Sequence, residues 1–227
     1  MNTPIIHVDR VSSTQDVARA MTRQELGTVI VADAQENGRG RRGHVWLSPR
    51  GGLYASIILR SDPLLSLRAG IAVARALQEL GIDARLKWPN DVLVADRKIA
   101  GILIEASGEM AIVGIGVNVD SVPLPEATCV ERETERSVTR DELLYSILQK
   151  IDTACGEDII KKYRELSCTI GREVRIITAA GKEVIGNALG IDRYGHLLVD
   201  DAKNKHTIVG GDCVHLEQGF DVARANG

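Results

Sequence analysis

The chain has 227 residues, 28 basic against 31 acidic side chains, a net charge of −3 and 44% hydrophobic residues. That balance fits an ordinary soluble globule and excludes a general polyanion-binding domain, which carries a strong basic excess. No run approaches the roughly 18 apolar residues of a membrane span, and the first residues lack the pattern of a signal peptide. Aromatic residues are scarce, with one Phe, two Trp and four Tyr. The core must therefore be aliphatic, and each tryptophan needs a reason to be where it is. Cys129, Cys155, Cys168 and Cys213 are widely spaced without a C-x-x-C pair. They read as the reduced thiols of a cytoplasmic protein rather than a zinc ribbon or a disulfide framework.

Along the chain, a first strand is expected from Ile5. Ser13 is the expected N-cap of a helix, with Asp16 three residues on, running to about Leu26 and stopped by Gly27. TVIVAD (28–33) and LYASIIL (53–59) read as strands flanking a polar, Gly-rich loop from Ala34 to Gly52. Leu67, Ile71, Ala74 and Leu77 recur at helical spacing within 65–80 and predict a helix ending at Gly81. Short strands then follow, ARLKW, DVLVAD, KIAGILIEA and MAIVGIGVNV, with turns at Asp96-Arg97 and Ser107-Gly108-Glu109. Pro123 and Pro125 mark a loop. Thr139-x-x-Glu142 opens another helix, to about Lys150, which resumes after Gly156 to Leu166. From Thr169 onward the sequence is all β in character, with five short strands that suggest a small barrel. The expected domains are therefore 1–168 and 169–227.

Three segments could carry chemistry. The first is Gly38-Arg39-Gly40-Arg41-Arg42-Gly43-His44-x-Trp46. Its glycines let the backbone approach a ligand, and its arginines supply planar donor forks for phosphate or carboxylate. A solvated basic loop would have the same composition. It is not a P-loop, and its G-x-G-x-x-G spacing precedes a strand rather than a helix, so the dinucleotide fingerprint fails. The second is Lys87-Trp88-Pro89-Asn90-Asp91, followed by Lys98 at the head of an apolar strand. Asn90 and Asp91 suit either a plain turn or the nucleotide and Mg²⁺ side of a site. The third is Gly101, Gly114 and Gly116, glycines inside strands that leave a slot on one sheet face for a ligand or another backbone. His7, His196, His206 and His215 are scattered and read as surface or packing residues.

Taken together, SSTQD (12–16), AQENGRGRRGHVWLSP (34–49), KWPNDV (87–92), KIAGILIE (98–105) and GIGVNV (114–119) resemble the biotin protein ligases, in that family's order. The resemblance implies an α+β fold. A mixed sheet with helices, like that of class II aminoacyl-tRNA synthetases and biotin–lipoate ligases, would precede a small C-terminal Src-homology-3-like β-barrel. It also implies an AMP-producing, carbon–nitrogen bond-forming ligase. Such an enzyme makes biotinyl-5′-AMP from biotin and ATP, with Mg²⁺, and passes the acyl group to a lysine of a biotin carboxyl carrier protein. Fixed cations would ease the approach of a carboxylate to a triphosphate.

By the same resemblance, Ser13, Thr14, Gln15 and Gln35 bind the ureido end of biotin. Gly38, Arg39, Gly40 and Arg41 hold the carboxylate and phosphates, and Lys98 bridges carboxylate and α-phosphate. Gly101, Leu103, Gly114 and Gly116 form the slot walls. Arg41, Arg42, His44, Trp46, Lys87, Asn90, Asp91 and Asn118 lie on the nucleotide side, and Arg39, Arg41 and Lys98 are the expected catalytic cations. No metal ligands are assigned. Two departures stand out: His44 follows GRGRRG where many relatives carry Arg or Lys, and GGDCVHLE offers only His215 where some carry a nucleotide-contacting arginine. A lipoate ligase shares the fold and acyl logic, but KWPND with GRGRRG favours biotin. A DNA-binding repressor needs a recognition module for which a strand starting at Ile5 leaves no room. An RNA-binding barrel is disfavoured by the charge and the absence of stacking aromatics. No DNA or membrane partner is expected, and pairing into a homodimer is left open.

Overall fold

The computed structural model describes residues 4–21, 25–120, 122, 124–153 and 159–216. Pro123, Cys155, Gly156, Glu217 and Phe220 lie outside them. The elements run β1 (Ile5–Val11), α1 (Thr14–Ala20), β2 (Val29–Gln35), β3 (Gly52–Arg60), α2 (Leu65–Glu79), β4 (Arg85–Lys87), β5 (Asp91–Val94), β6 (Arg97–Ser107) and β7 (Met110–Asn118). Helices α3 (Val130–Glu133), α4 (Arg140–Thr153) and α5 (Ile159–Leu166) follow. Then come β8 (Glu173–Thr178), β9 (Glu183–Ile191), β10 (Leu197–Asp200), β11 (Lys205–Ile208) and β12 (Gly211–His215).

The first seven strands form one mixed sheet in the order β1-β2-β3-β7-β6-β5-β4. Only β1 and β2 run parallel; the other neighbours are antiparallel. Alternation along the strands divides the sheet into two faces. Val29 and Val31 join the main core with α2, α4 and α5, whereas Ile30, Ile58 and Ile112 pack with Ala18 of α1 on the opposite face. Leu67, Ile71, Ala74 and Leu77 of α2 are all buried, as their spacing predicts. Burying each of the larger ones contributes about 1.5–3 kcal/mol. Thr139 and Glu142 form the reciprocal cap of α4, Thr139 N–H donating to Glu142 Oε2 (2.9 Å) and Glu142 N–H to Thr139 Oγ1 (3.2 Å).

Two expectations for the first helix need correction. The first helix stops at Ala20, with Met21 extended (φ −62°, ψ 126°), not near Leu26. Ser13 does cap it, but Asp16 completes no capping box because its carboxylate is taken by Arg19 and Arg39. The C-terminal strands form a five-stranded antiparallel sheet, β11-β10-β9-β8-β12, with β11 and β12 at opposite ends. Its buried face shares the main core through Val174, Ile176, Leu197 and Val199. The KWPND turn ties the two sheets together. Trp88 N–H donates to Thr169 Oγ1 (3.0 Å), its indole N–H to Gly195 O (3.1 Å), and Cys168 N–H to Leu86 O (2.9 Å). No helix among the described residues is long and apolar enough to cross a membrane.

Candidate active site

Period-2 alternation puts Leu103 opposite Gly114 and Gly101 opposite Gly116 on the α1 face of the large sheet. A cavity of about 260 Å³ opens there, walled by α1, the 38–46 loop, the KWPND turn and the start of β12. It has two chemically different ends.

One end is neutral and polar. The backbone N–H and hydroxyl of Thr14 both donate to Gln35 Oε1 (2.9 and 3.1 Å), and Gln35 Nε2 donates to Ser48 Oγ (2.8 Å). Thr14 Oγ1 also lies 2.8 Å from Ser56 Oγ. Gln15 Nε2 donates to Leu103 O (3.1 Å), while Gln15 Oε1 is buried without a hydrogen-bond partner. Ser13, which caps α1, completes this end. A buried, unsatisfied acceptor costs about 1–3 kcal/mol, and Gln15 Oε1 carries that cost at this end.

The other end is cationic. Lys98 Nζ sits 2.7 Å from Asp91 Oδ1 and 5.2 Å from the centre of the Trp46 ring, within the range of a cation–π contact. Arg41 Nη1 donates to Asn90 Oδ1 (3.2 Å) and Gly211 O (3.4 Å), and Asn90 Nδ2 donates to Ile102 O (2.9 Å). Burial pushes the Arg41 guanidinium below its ordinary pKa, opposed by the nearby charges of Asp212 and Asp91.

The three arginines of the loop occupy three different environments. Arg39 is held by Asp16 (2.6 Å) and Glu105 (3.4 Å). Arg42, with φ +53°, turns away from the cavity to Asp212 (2.8 Å) and the carbonyl of Ile177 (3.1 Å) on the small sheet. Arg41 alone faces the cavity with hydrogen bonds to neutral oxygens only.

The glycine slot is built differently from the expectation. A Cβ on Gly114 would lie 2.4 Å from Gln15 Nε2, one on Gly116 2.5 Å from Trp46 Cε2 and Nε1, and one on Gly101 3.0 Å from Trp46 Cζ3. These glycines therefore admit the side chains of Gln15 and Trp46, which form the inner lining themselves. The buried indole Nε1 of Trp46 and the Nε of Arg39 also lack hydrogen-bond partners.

Most of the predicted site residues line this one cavity: Ser13, Thr14, Gln15, Gln35, Arg39, Gly40, Arg41, His44, Trp46, Asn90, Asp91, Lys98, Gly101, Leu103, Gly114 and Gly116. Four do not. Gly38 is packed behind the loop, where a Cβ would lie 2.3 Å from Trp46 O. Arg42 is drawn to the small sheet. Asn118 is buried and donates to Thr128 O (3.0 Å), bracing the backbone near Lys98. Lys87 instead lies near Cys213 and His215 of the small sheet, where burial raises the Cys213 thiol against the Lys87 charge and lowers His215 together with it. Conversely, Gly211, Asp212 and Cys213 of β12 line the cavity; the resemblance points to GGDCVHLE only through an arginine that this chain lacks there. His215 is not on the lining. It hydrogen-bonds Thr169 (2.9 Å), and burial, with Lys87 and Arg172 nearby, pushes it down to about 4.

Comparison with known proteins gives a consistent answer. Residues 7–120 match the biotin/lipoate A/B protein ligase family, and residues 169–216 match the biotin protein ligase C-terminal domain. The bifunctional ligase/repressor BirA of Bacillus subtilis is 33% identical over 93% of this chain and 74% of its own length. The biotin–[acetyl-CoA-carboxylase] ligase of Mycobacterium tuberculosis is 32% identical over 88% of this chain and 84% of its own. Among solved structures, a biotin protein ligase from Aquifex aeolicus in complex with biotin and ATP superposes with a TM-score of 0.83. It is 31% identical and covers 94% of this chain and 98% of that one.

Proposed function

The chain belongs to the biotin protein ligase family, and we propose that it joins biotin to a lysine of a biotin carboxyl carrier protein through biotinyl-5′-AMP. The observation that carries this reading is the two-ended cavity. Its neutral end offers Thr14, Gln15 and Gln35 to a small polar ring, and its cationic end offers Lys98 and Arg41 to a carboxylate and a phosphate.

In the first step a carboxylate oxygen of biotin attacks the α-phosphorus of ATP, the α–β bridge oxygen leaves with pyrophosphate, and a mixed anhydride forms. Two anions must meet, so the fixed charges of Lys98 and Arg41 supply the stabilisation. Lys98 carries its charge at the head of β6, oriented by Asp91 and the Trp46 face. In the second step the neutral amine of the carrier lysine attacks the acyl carbonyl, AMP leaves with the bonding electrons, the nitrogen gives up one proton to solvent, and an amide forms. Trp46 and the 38–46 loop cover the slot and keep water from the anhydride until the amine arrives. Holding the amine against the activated carbonyl supplies much of the rate.

Mg²⁺ fits this site as a nucleotide-borne ion. Among the described residues no group of three or more His, Cys, Asp or Glu is arranged to hold a metal, and Asp91 and Asp212 are the carboxylates on the lining. That donor set suits an ion carried mainly by phosphates and water. It would supply charge neutralisation on the triphosphate. We also place the domain division at residue 168 and the enzyme in the cytoplasm with its carrier.

The test is incubation with biotin, MgATP and a biotin carboxyl carrier domain, followed by mass measurement of the carrier. The expected result is a single biotinyl addition that is lost when the acceptor lysine is replaced by arginine. An unmodified carrier, or a preference for lipoate over biotin, overturns the reading.

A further inference from the structure

Arg39 stands at the root of the 38–46 loop, where it forms an isolated β-bridge with Val45 while Trp46 N–H donates to Gly38 O (2.9 Å). Its guanidinium is shared between two carboxylates from two other elements, Asp16 of α1 (2.6 Å) and Glu105 of β6 (3.4 Å). Arg19 reaches the same two oxygens, Asp16 Oδ1 (2.9 Å) and Glu105 Oε2 (2.5 Å). The result is a closed ring of two positive and two negative groups beside Gln15 and Leu103, at the neutral end of the cavity. Asp16 and Glu105 do not touch the cavity; each closes a quoted segment, SSTQD and KIAGILIE, without a role of its own in the sequence reading. Yet Glu105 lies directly opposite Ile112, which places it on the same sheet face as the slot.

We propose that Asp16 and Glu105 are positioning residues: they hold Arg39, and through it the root of the loop and Trp46, over the cavity. Biotin affinity then depends on this ring of charges. The inference rests on the biotin-ligase reading and deepens it. It also gives Arg39 a task distinct from that of Arg41. Arg39 is engaged by carboxylates that it shares with Arg19, whereas Arg41 is hydrogen-bonded to the neutral oxygens of Asn90 and Gly211, so Arg41 is the more available partner for a substrate anion. The ring is partly exposed, with side-chain accessibilities of 35% for Arg39 and 31% for Glu105, so salt screens it. Two such pairs together amount to roughly tenfold in an equilibrium.

The experiment is calorimetric titration of biotin into the full chain at about 50 mM and about 500 mM salt, either side of the screening range. It is paired with biotin-dependent pyrophosphate–ATP exchange. Asp16→Asn/Glu105→Gln should weaken biotin about tenfold at low salt while leaving the KM for ATP within about twofold. Arg39→Ala should match it, and combining the two should add nothing further. Wild type should lose biotin affinity with rising salt, and the double variant should lose markedly less. A merely structural role would not move that salt dependence. Asp16→Glu, which keeps the charge, should restore part of the affinity, and melting curves show that each variant is folded. Wild-type biotin affinity in the double variant, or additive effects with Arg39→Ala, overturns the inference alone. Absence of biotin binding by wild type overturns the inference together with the reading beneath it.

Discussion

Replacing Gly116 by alanine adds one methyl group to the floor of the slot without disturbing the ladder, in which Gly116 faces Tyr54 on one side and Gly101 on the other. That methyl would lie 2.5 Å from both Cε2 and Nε1 of Trp46 and 2.8 Å from Cζ2. Ordinary contact between such atoms is about 3.5–4.0 Å, so the ring must retreat by roughly 1 Å. The retreat cannot be confined to the side chain. Trp46 is tied to Gly38 through its N–H and accepts from Ser48 Oγ (3.0 Å), and its ring packs beside Lys98. Overpacking of this kind costs about 1–3 kcal/mol, and the cost falls on the closed loop rather than on the strand, which accepts alanine readily. The KM for biotin in pyrophosphate exchange should therefore rise by roughly 5- to 150-fold, with little change in melting temperature. A KM within about twofold of wild type, in a folded variant, would show that Trp46 is not seated on Gly116 in the working enzyme.

Lys98→Ala should abolish biotin-dependent pyrophosphate exchange while the chain stays folded, because the ammonium pairs with Asp91 at the cavity and contributes little to the core. Substantial exchange in that variant would remove Lys98 from the first step. Burial holds His215 down to about 4, so the native state resists a proton that the unfolded state takes up near pH 6.5. Stability should thus fall as the pH drops from about 6.5 towards 4. His215→Gln should flatten that part of the melting-temperature profile, and an unchanged profile would contradict the assignment. Leu77→Ala, at a fully buried position of α2, should cost about 2–5 kcal/mol in denaturant unfolding. A cost below about 1 kcal/mol would mean that α2 is not packed as described.

Much of this site was legible because its chemistry is local. Ser13 through Gln15 sit on one helical turn, GRGRRG on one loop and KWPND on one turn, so their residue types already state what each segment can bind. The division of labour among the three arginines was not legible. It is set by Asp16, Glu105 and Asp212, which come from a helix, a distant strand and the small sheet. For the same reason, glycine positions announced a close approach but not its occupant. Gly114 and Gly116 make room for Gln15 and Trp46, side chains about 100 and 70 residues earlier in the chain. Residues 17–26 carry adequate helix formers, so the sequence predicts a longer first helix than the one that forms. Local propensity gave no reason for Met21 to turn extended.

The central claim is that one cavity seats biotin and a nucleotide end to end and joins them. Native mass spectrometry of the full chain mixed with biotin and MgATP tests it most directly. A retained species at the mass of biotinyl-5′-AMP should form with wild type and be missing with Lys98→Ala. Biotin and ATP bound side by side without that species, or formation of it undiminished in Lys98→Ala, would contradict the account.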